Sequence, residues 1–125
     1  RVIRVLTELS LNENKVIKKL VFHFVSREII RATNVRHLNH DYLTDVITFD
    51  YCHADKIKGD VFICVDVIKD NAADLGVDFT SELNRVVFHG LLHLLGYNDV
   101  SEAEKVLMRA EEEKALVLLE TYGGL

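Results

Sequence analysis

One stretch limits the fold of this 125-residue chain more than any other: RVVFHGLLHLLGYND, residues 85–99. Val86, Val87, Phe88, Leu91, Leu92, Leu94 and Leu95 make its helix apolar almost all round toward the C-terminal end, and a helix of that kind runs through a core rather than along a surface. A chain of this length forms one domain that buries roughly two thirds of the surface its unfolded form exposes. Yet His89 and His93 stand in the oily run one turn apart, on a single helical face. Burying imidazoles without partners costs about 1–3 kcal/mol for each unsatisfied group. A shared metal ion removes that cost. His-x3-His on a helix is a recurring zinc chelate, and the break at Gly96 returns the chain so that Asp99 can supply a third ligand. Two core histidines satisfied by backbone or water remain the competing reading, and the spacing leaves both open.

The rest of the chain supplies the layers around that helix. Residues 1–9 have helical apolar spacing, whereas residues 15–25 alternate, with Leu20, Phe22 and Phe24 on one face and Lys19, Val21 and His23 on the other, as in a half-buried strand. Ser26 can cap a short helix over 27–33, and a polar segment follows. TDVITF and GDVFICV, separated by the loop DYCHADKIK, are rich in β-branched residues and predict two strands. Asp66 is expected to cap the next helix, which Gly76 ends. Thr80 or Ser81 caps the histidine helix over 81–95, and Ser101 opens a last helix to about Tyr122. The order α-β-α-β-β-α-α-α predicts an α+β fold: a single domain over 1–125, with a small mixed sheet, helices packed against it and the metal site on the helix around 81–95.

Composition narrows the function classes. Two cysteines without repeated spacing fit a reduced, cytoplasmic protein, and the longest apolar run is too short for a membrane span. The net charge of −5 argues against broad affinity for nucleic acid. Residues 1–60 nevertheless carry ten Lys/Arg against eight Asp/Glu, and residues 61–125 five against twelve, so an anionic substrate is expected to meet the first half. The helical protease signature places a glutamate, the general base, after its first histidine. Here that residue is Gly90. A peptidase mechanism of that type therefore lacks its base, and the small residue instead allows close approach by another backbone or a substrate.

HGLLHLLGYND resembles the hallmark HGxLHLxGYDH of the YbeY family of metal-dependent endoribonucleases. TDVITF, GDVFIC and Asn34, ten residues before Thr44, extend the likeness from Asn34 to about Glu113. The resemblance implies a small α+β fold with one zinc at the end of the histidine helix beneath an RNA-binding groove. It further implies a cytoplasmic protein that matures ribosomal RNA together with the ribosomal small subunit or its associated factors. The family's third metal histidine falls on Asp99, preceded by Asn98. His89, His93 and Asp99 are thus the expected ligands, and because two histidines and a carboxylate also suit iron, another divalent transition metal is compatible.

Leu38 falls where the family usually carries a phosphate-directed arginine. Arg85, on one stripe with His89 and His93, is the expected catalytic replacement, against a reading as a surface arginine paired with Glu82. Arg36, His40 and Thr48 are the expected substrate-binding residues, with His37 a further cation in the same segment. Glu111, Glu112 and Glu113 read as a solvated face. Water activated by the metal, or the ribose 2′-hydroxyl, could attack phosphorus. The alternatives are a non-catalytic ribosome-associated factor with a structural metal, and a hydrolase of another phosphoester.

Overall fold

The computed structural model describes residues 1–38 and 43–123. Its elements are α1 (Val2–Asn12), β1 (Val16–Val25), α2 (Arg27–Leu38), β2 (Val46–Asp50), β3 (Lys56–Cys64), α3 (Val65–Leu75), α4 (Phe79–Leu94) and α5 (Glu102–Gly123), in the expected order. The sheet is mixed, with order β1-β3-β2: the central β3 runs parallel to β1 and antiparallel to β2.

The alternation of β3 divides the interior. Ile57, Val61 and Ile63 face the main core with Phe88, Leu91 and Leu92 of α4, all buried. Phe62 and Cys64 face the other way, where Ile30 of α2 and Ile47 of β2 form a second, smaller cluster. On β1, Leu20 and Phe22 join the main core. Phe24, expected beside them, is 58% exposed, one residue from the end of the outer strand β1.

Several boundaries differ from expectation, each for a local reason. Helix α2 continues five residues beyond the expected 27–33 to Leu38, since the buried Asn34 follows Ile30 on the inward face; Ser26 Oγ does accept the Ile29 N–H (3.2 Å) at its start. Arg36 and His37 consequently lie in a last helical turn rather than a loop. Strand β3 starts at Lys56, because His53 and Lys56 exchange backbone hydrogen bonds (3.0 and 2.9 Å) and close a tight hairpin with Ala54 at φ 55°. No glycine or asparagine marks that turn. Cys64, not Asp66, is the N-cap of α3, and Asp66 sits in its first turn, where negative charge suits the helix dipole. Asp78 is the N-cap of α4, ahead of Thr80 and Ser81. Ser101 caps α5 as expected: its Oγ accepts the Glu104 N–H (3.1 Å) while the Glu104 carboxylate accepts the Ser101 N–H (2.9 Å).

Two glycines set the distance between α4 and the sheet. A Cβ on Gly90 would stand 3.0 Å from Val61 Cγ1, and one on Gly59 would stand 2.8 Å from Leu94 Cδ1 and 2.9 Å from the Phe49 carbonyl oxygen. The small residue at 90 thus admits the sheet, which settles how that position is used. The carbonyl beside Gly59 belongs to backbone and cannot yield as a side-chain tip can. Gly59→Ala is therefore expected to destabilise the fold by about 1–3 kcal/mol, read as a lower urea midpoint; an unchanged midpoint would show that Leu94 and the Phe49 backbone both give way freely.

Candidate metal centre

Helix α4 presents His89 and His93 at its C-terminal end, and a glycine turn brings Asp99 back to them. The turn closes by paired hydrogen bonds from the Gly96 N–H to the His93 carbonyl and from the Tyr97 N–H to the Leu92 carbonyl, both 3.0 Å, with Gly96 at φ 104°. This is a Schellman motif, which favours glycine at the left-handed position. Lys15 Nζ also donates to the Leu95 carbonyl (3.3 Å), tying the helix end to the turn before β1.

His89 Nε2 and His93 Nε2 are 3.0 Å apart, and Asp99 Oδ2 lies 3.3 Å from the first and 3.6 Å from the second. Donors about 2.0–2.1 Å from one tetrahedral centre stand about 3.3 Å from each other. The three residues thus fit a single first-row divalent cation and, among the described residues, they are the one group of His, Cys, Asp and Glu donors so arranged. Burial first, and then the neighbouring His89, push the His93 imidazole below its usual range, which favours the neutral form that a metal requires.

The other nitrogen of His89 is also engaged. Nδ1 lies 2.6 Å from Glu112 Oε2, so a proton on Nδ1 leaves the Nε2 lone pair directed at His93 and Asp99. Glu112 was expected on a solvated face with its neighbours; it is instead 2% exposed. Its other oxygen accepts from Arg85 Nη1 at 3.0 Å. Burial by itself would raise the Glu112 carboxyl, but the hydrogen bond to His89 and the charge of Arg85 outweigh it and hold the group below the usual carboxylate range. A signal for this role did exist in the sequence, because Met108, Glu112, Ala115 and Leu119 recur at helical spacing and the other three belong to the core.

Arg85 is 17% exposed, and its guanidinium bonds to both oxygens of Glu82, Nε at 2.8 Å and Nη2 at 2.6 Å, as well as to Glu112. Glu82 is itself buried. The expected pairing with Glu82 thus exists, but inside the protein rather than on its surface. The hydrogen bond to Glu82 is the largest influence on Arg85 and raises its pKa against the opposing effect of burial.

A cleft of about 510 Å³ opens over these donors between α4 and β2, with Thr48, Arg85, His89, His93 and Asp99 among its walls. Leu38 lines it too, so the side chain at the family's arginine position does reach the cleft. Asp45 stands in the same wall, its carboxyl pushed up by burial and partly restrained by Arg85. Arg36 is exposed on α2 and is not part of the lining, and His40 lies outside the described residues.

Comparison with known proteins follows the same lines. The chain is 45% identical over 100 residues to an endoribonuclease YbeY of Bacteroides thetaiotaomicron, covering 80% of this chain and 73% of that one. It is 41% identical over 113 residues to the endoribonuclease YbeY of Flavobacterium johnsoniae, covering 90% and 81%. A solution structure of a Thermotoga maritima protein superimposes with a TM-score of 0.68 at 28% identity, over 92% of this chain and 76% of that one. The family model described as endoribonuclease YbeY matches residues 1–120, and the chain belongs to that family.

Proposed function

We propose that this protein is a metal-dependent endoribonuclease that hydrolyses phosphodiester bonds of single-stranded ribosomal RNA in the cytoplasm during ribosome maturation, with one zinc ion per chain. The observation that carries the reading is the convergence of His89, His93 and Asp99 at tetrahedral spacing in the wall of an open cleft. The relatives named as endoribonucleases give the substrate class. Asp99 keeps 40% of its side chain exposed, so three protein donors meet solvent on one side, as a catalytic site requires and a closed structural site does not. No helix among the described residues is long and apolar enough to cross a membrane.

His89, His93 and Asp99 would hold the cation, which supplies Lewis-acid charge to a phosphoryl oxygen and lowers the pKa of water at its open position. The chain does the remaining work. Glu112 fixes the ring of His89 with Nε2 toward the site, and burial keeps His93 available as a neutral donor. Arg85, held by Glu82 and Glu112, acts as the anchor of that arrangement more than as a clamp on substrate. Thr48 stands in the opposite wall, where it would position RNA.

The deciding assay is cleavage of precursor ribosomal RNA by metal-loaded protein, with loss on chelation and return on adding zinc. His93→Ala is expected to abolish both cleavage and stoichiometric metal, whereas Asp99→His keeps the metal; normal metal content in His93→Ala by elemental analysis would refute the ligand assignment. Glu112→Ala should weaken zinc binding by about 10- to 100-fold, measured by competition with a chromophoric chelator, while affinity equal to the unaltered protein would reduce Glu112 to a packing role. Arg85→Ala removes the ion-pair partner of the buried Glu82 and one of the partners of Glu112, and should cost about 3–5 kcal/mol of stability, seen in urea unfolding. A loss within the range of an exposed arginine would mean that Glu82 and Glu112 find other partners.

A further inference from the structure

The cleft poses a problem for a polyanionic substrate. The arginine in the cleft lining, Arg85, is bound to two buried glutamates, the position of the family's arginine is Leu38, and Asp45 and Asp50 stand in the lining. Side-chain charge in this wall does not favour phosphate. The backbone offers an alternative, and the phase of the β2–β3 ladder identifies it.

Two hydrogen bonds bracket β2: Cys64 N–H to the Asp45 carbonyl and Tyr51 N–H to the Lys58 carbonyl, both 2.9 Å. In an antiparallel ladder such bonded pairs alternate with non-bonded ones. The register continues between these limits, with Ile47 opposite Phe62 and Phe49 opposite Asp60. Ile47 and Phe49 therefore spend their N–H and carbonyl groups on β3, and Val46, Thr48 and Asp50 turn theirs outward. The sheet order β1-β3-β2 leaves that edge without a strand partner among the described residues, and Val46, Thr48 and Asp50 all line the metal cleft.

We propose that the outward N–H groups of Val46, Thr48 and Asp50 form a phosphate-binding edge that holds the backbone of single-stranded RNA across the metal cleft, in place of the missing arginine. The inference rests on the endoribonuclease reading above and deepens it. Backbone N–H groups are regular partners of phosphate oxygens, and a strand edge repeats them about every 6.8 Å on one side. Such an edge grips an extended single strand without reading its bases. The nearby carboxylates interfere less than their number suggests. Asp50 Oδ1 is turned to the Cys52 N–H at 2.8 Å, and burial disfavours the charged form of Asp45. Thr48 is central, because its N–H faces the edge while its hydroxyl lies on the α4 side near Gly90.

An amide NMR titration of the metal-loaded protein with decauridylate tests this directly. Shifts concentrated at the Val46, Thr48 and Asp50 amides, with Ile47 and Phe49 little moved, are the expected result. RNA that shifts other surfaces and leaves these three amides still would overturn the phosphate edge while sparing the endoribonuclease reading. RNA that shifts nothing at saturating concentration would remove both. A pair of variants isolates the N–H group: Thr48→Val deletes the hydroxyl alone, and Thr48→Pro deletes hydroxyl and N–H together at an edge position where proline breaks no ladder bond. Thr48→Pro should bind decauridylate at least about tenfold more weakly than Thr48→Val, the scale of one hydrogen bond to a charged group. Equal affinities would overturn the proposal, and if Thr48→Pro fails to fold by circular dichroism, the amide titration decides alone.

Discussion

A single buried carboxylate joins the parts of this protein that must stay in register. Glu112 comes from α5, yet it bonds to Arg85 and His89 of α4, and Arg85 in turn neutralises the buried Glu82. Taking charges out of water is costly unless geometry and hydrogen bonds compensate. Here each oxygen of Glu112 has a partner, and no buried side-chain polar atom among the described residues lacks one. The cluster therefore specifies how α5 lies on α4 more sharply than their apolar contact could, since a shift of one turn would strand several charges at once. The candidate metal site inherits that precision through the Nδ1 atom of His89.

The sequence disclosed the element order, the mixed sheet and the donor trio because each left a periodic or spaced signal. The helix apolar all round is the one buried through the core, and the His-x3-His spacing with a glycine break does converge on Asp99. Less was legible where tertiary context overrode local pattern. Glu112 looked solvated because it sits between two other glutamates, although its true company is Met108 and Ala115. The hairpin at Ala54 carries no glycine or asparagine, so β3 seemed to begin three residues late. Caps shifted by two residues at α3 and by two or three at α4, where the residues flanking the helix take the cap position without a side-chain hydrogen bond.

Arg85 illustrates a different limit. Its stripe with His89 and His93 was correct as geometry, and its side chain does border the cleft. Stripe position cannot tell what a long side chain bonds to, however, and three of its donor atoms are taken by glutamates. A cation can thus border a candidate site while its hydrogen bonds run back into the scaffold. The same cleft also shows that side chains are an incomplete inventory, since an outer strand presents donors that no composition count records.

The sheet joins two kinds of pairing with different kinetic demands. Strands β2 and β3 meet through a tight hairpin closed at His53 and Lys56, a local contact of the kind that forms in about 1–10 μs. Parallel pairing of β1 with β3 must wait for α2, β2 and the hairpin between them to be spanned, and such non-local closure is slow. The strand that walls the metal cleft can therefore be in place before the sheet is complete, and folding intermediates would expose the edge of β3 awaiting β1. That edge carries Val61, Phe62 and Ile63, an apolar strand segment of the sort that pairs with other chains when left open. Aggregation of partly folded chains is the hazard this topology carries, and it ends only when β1 docks on β3.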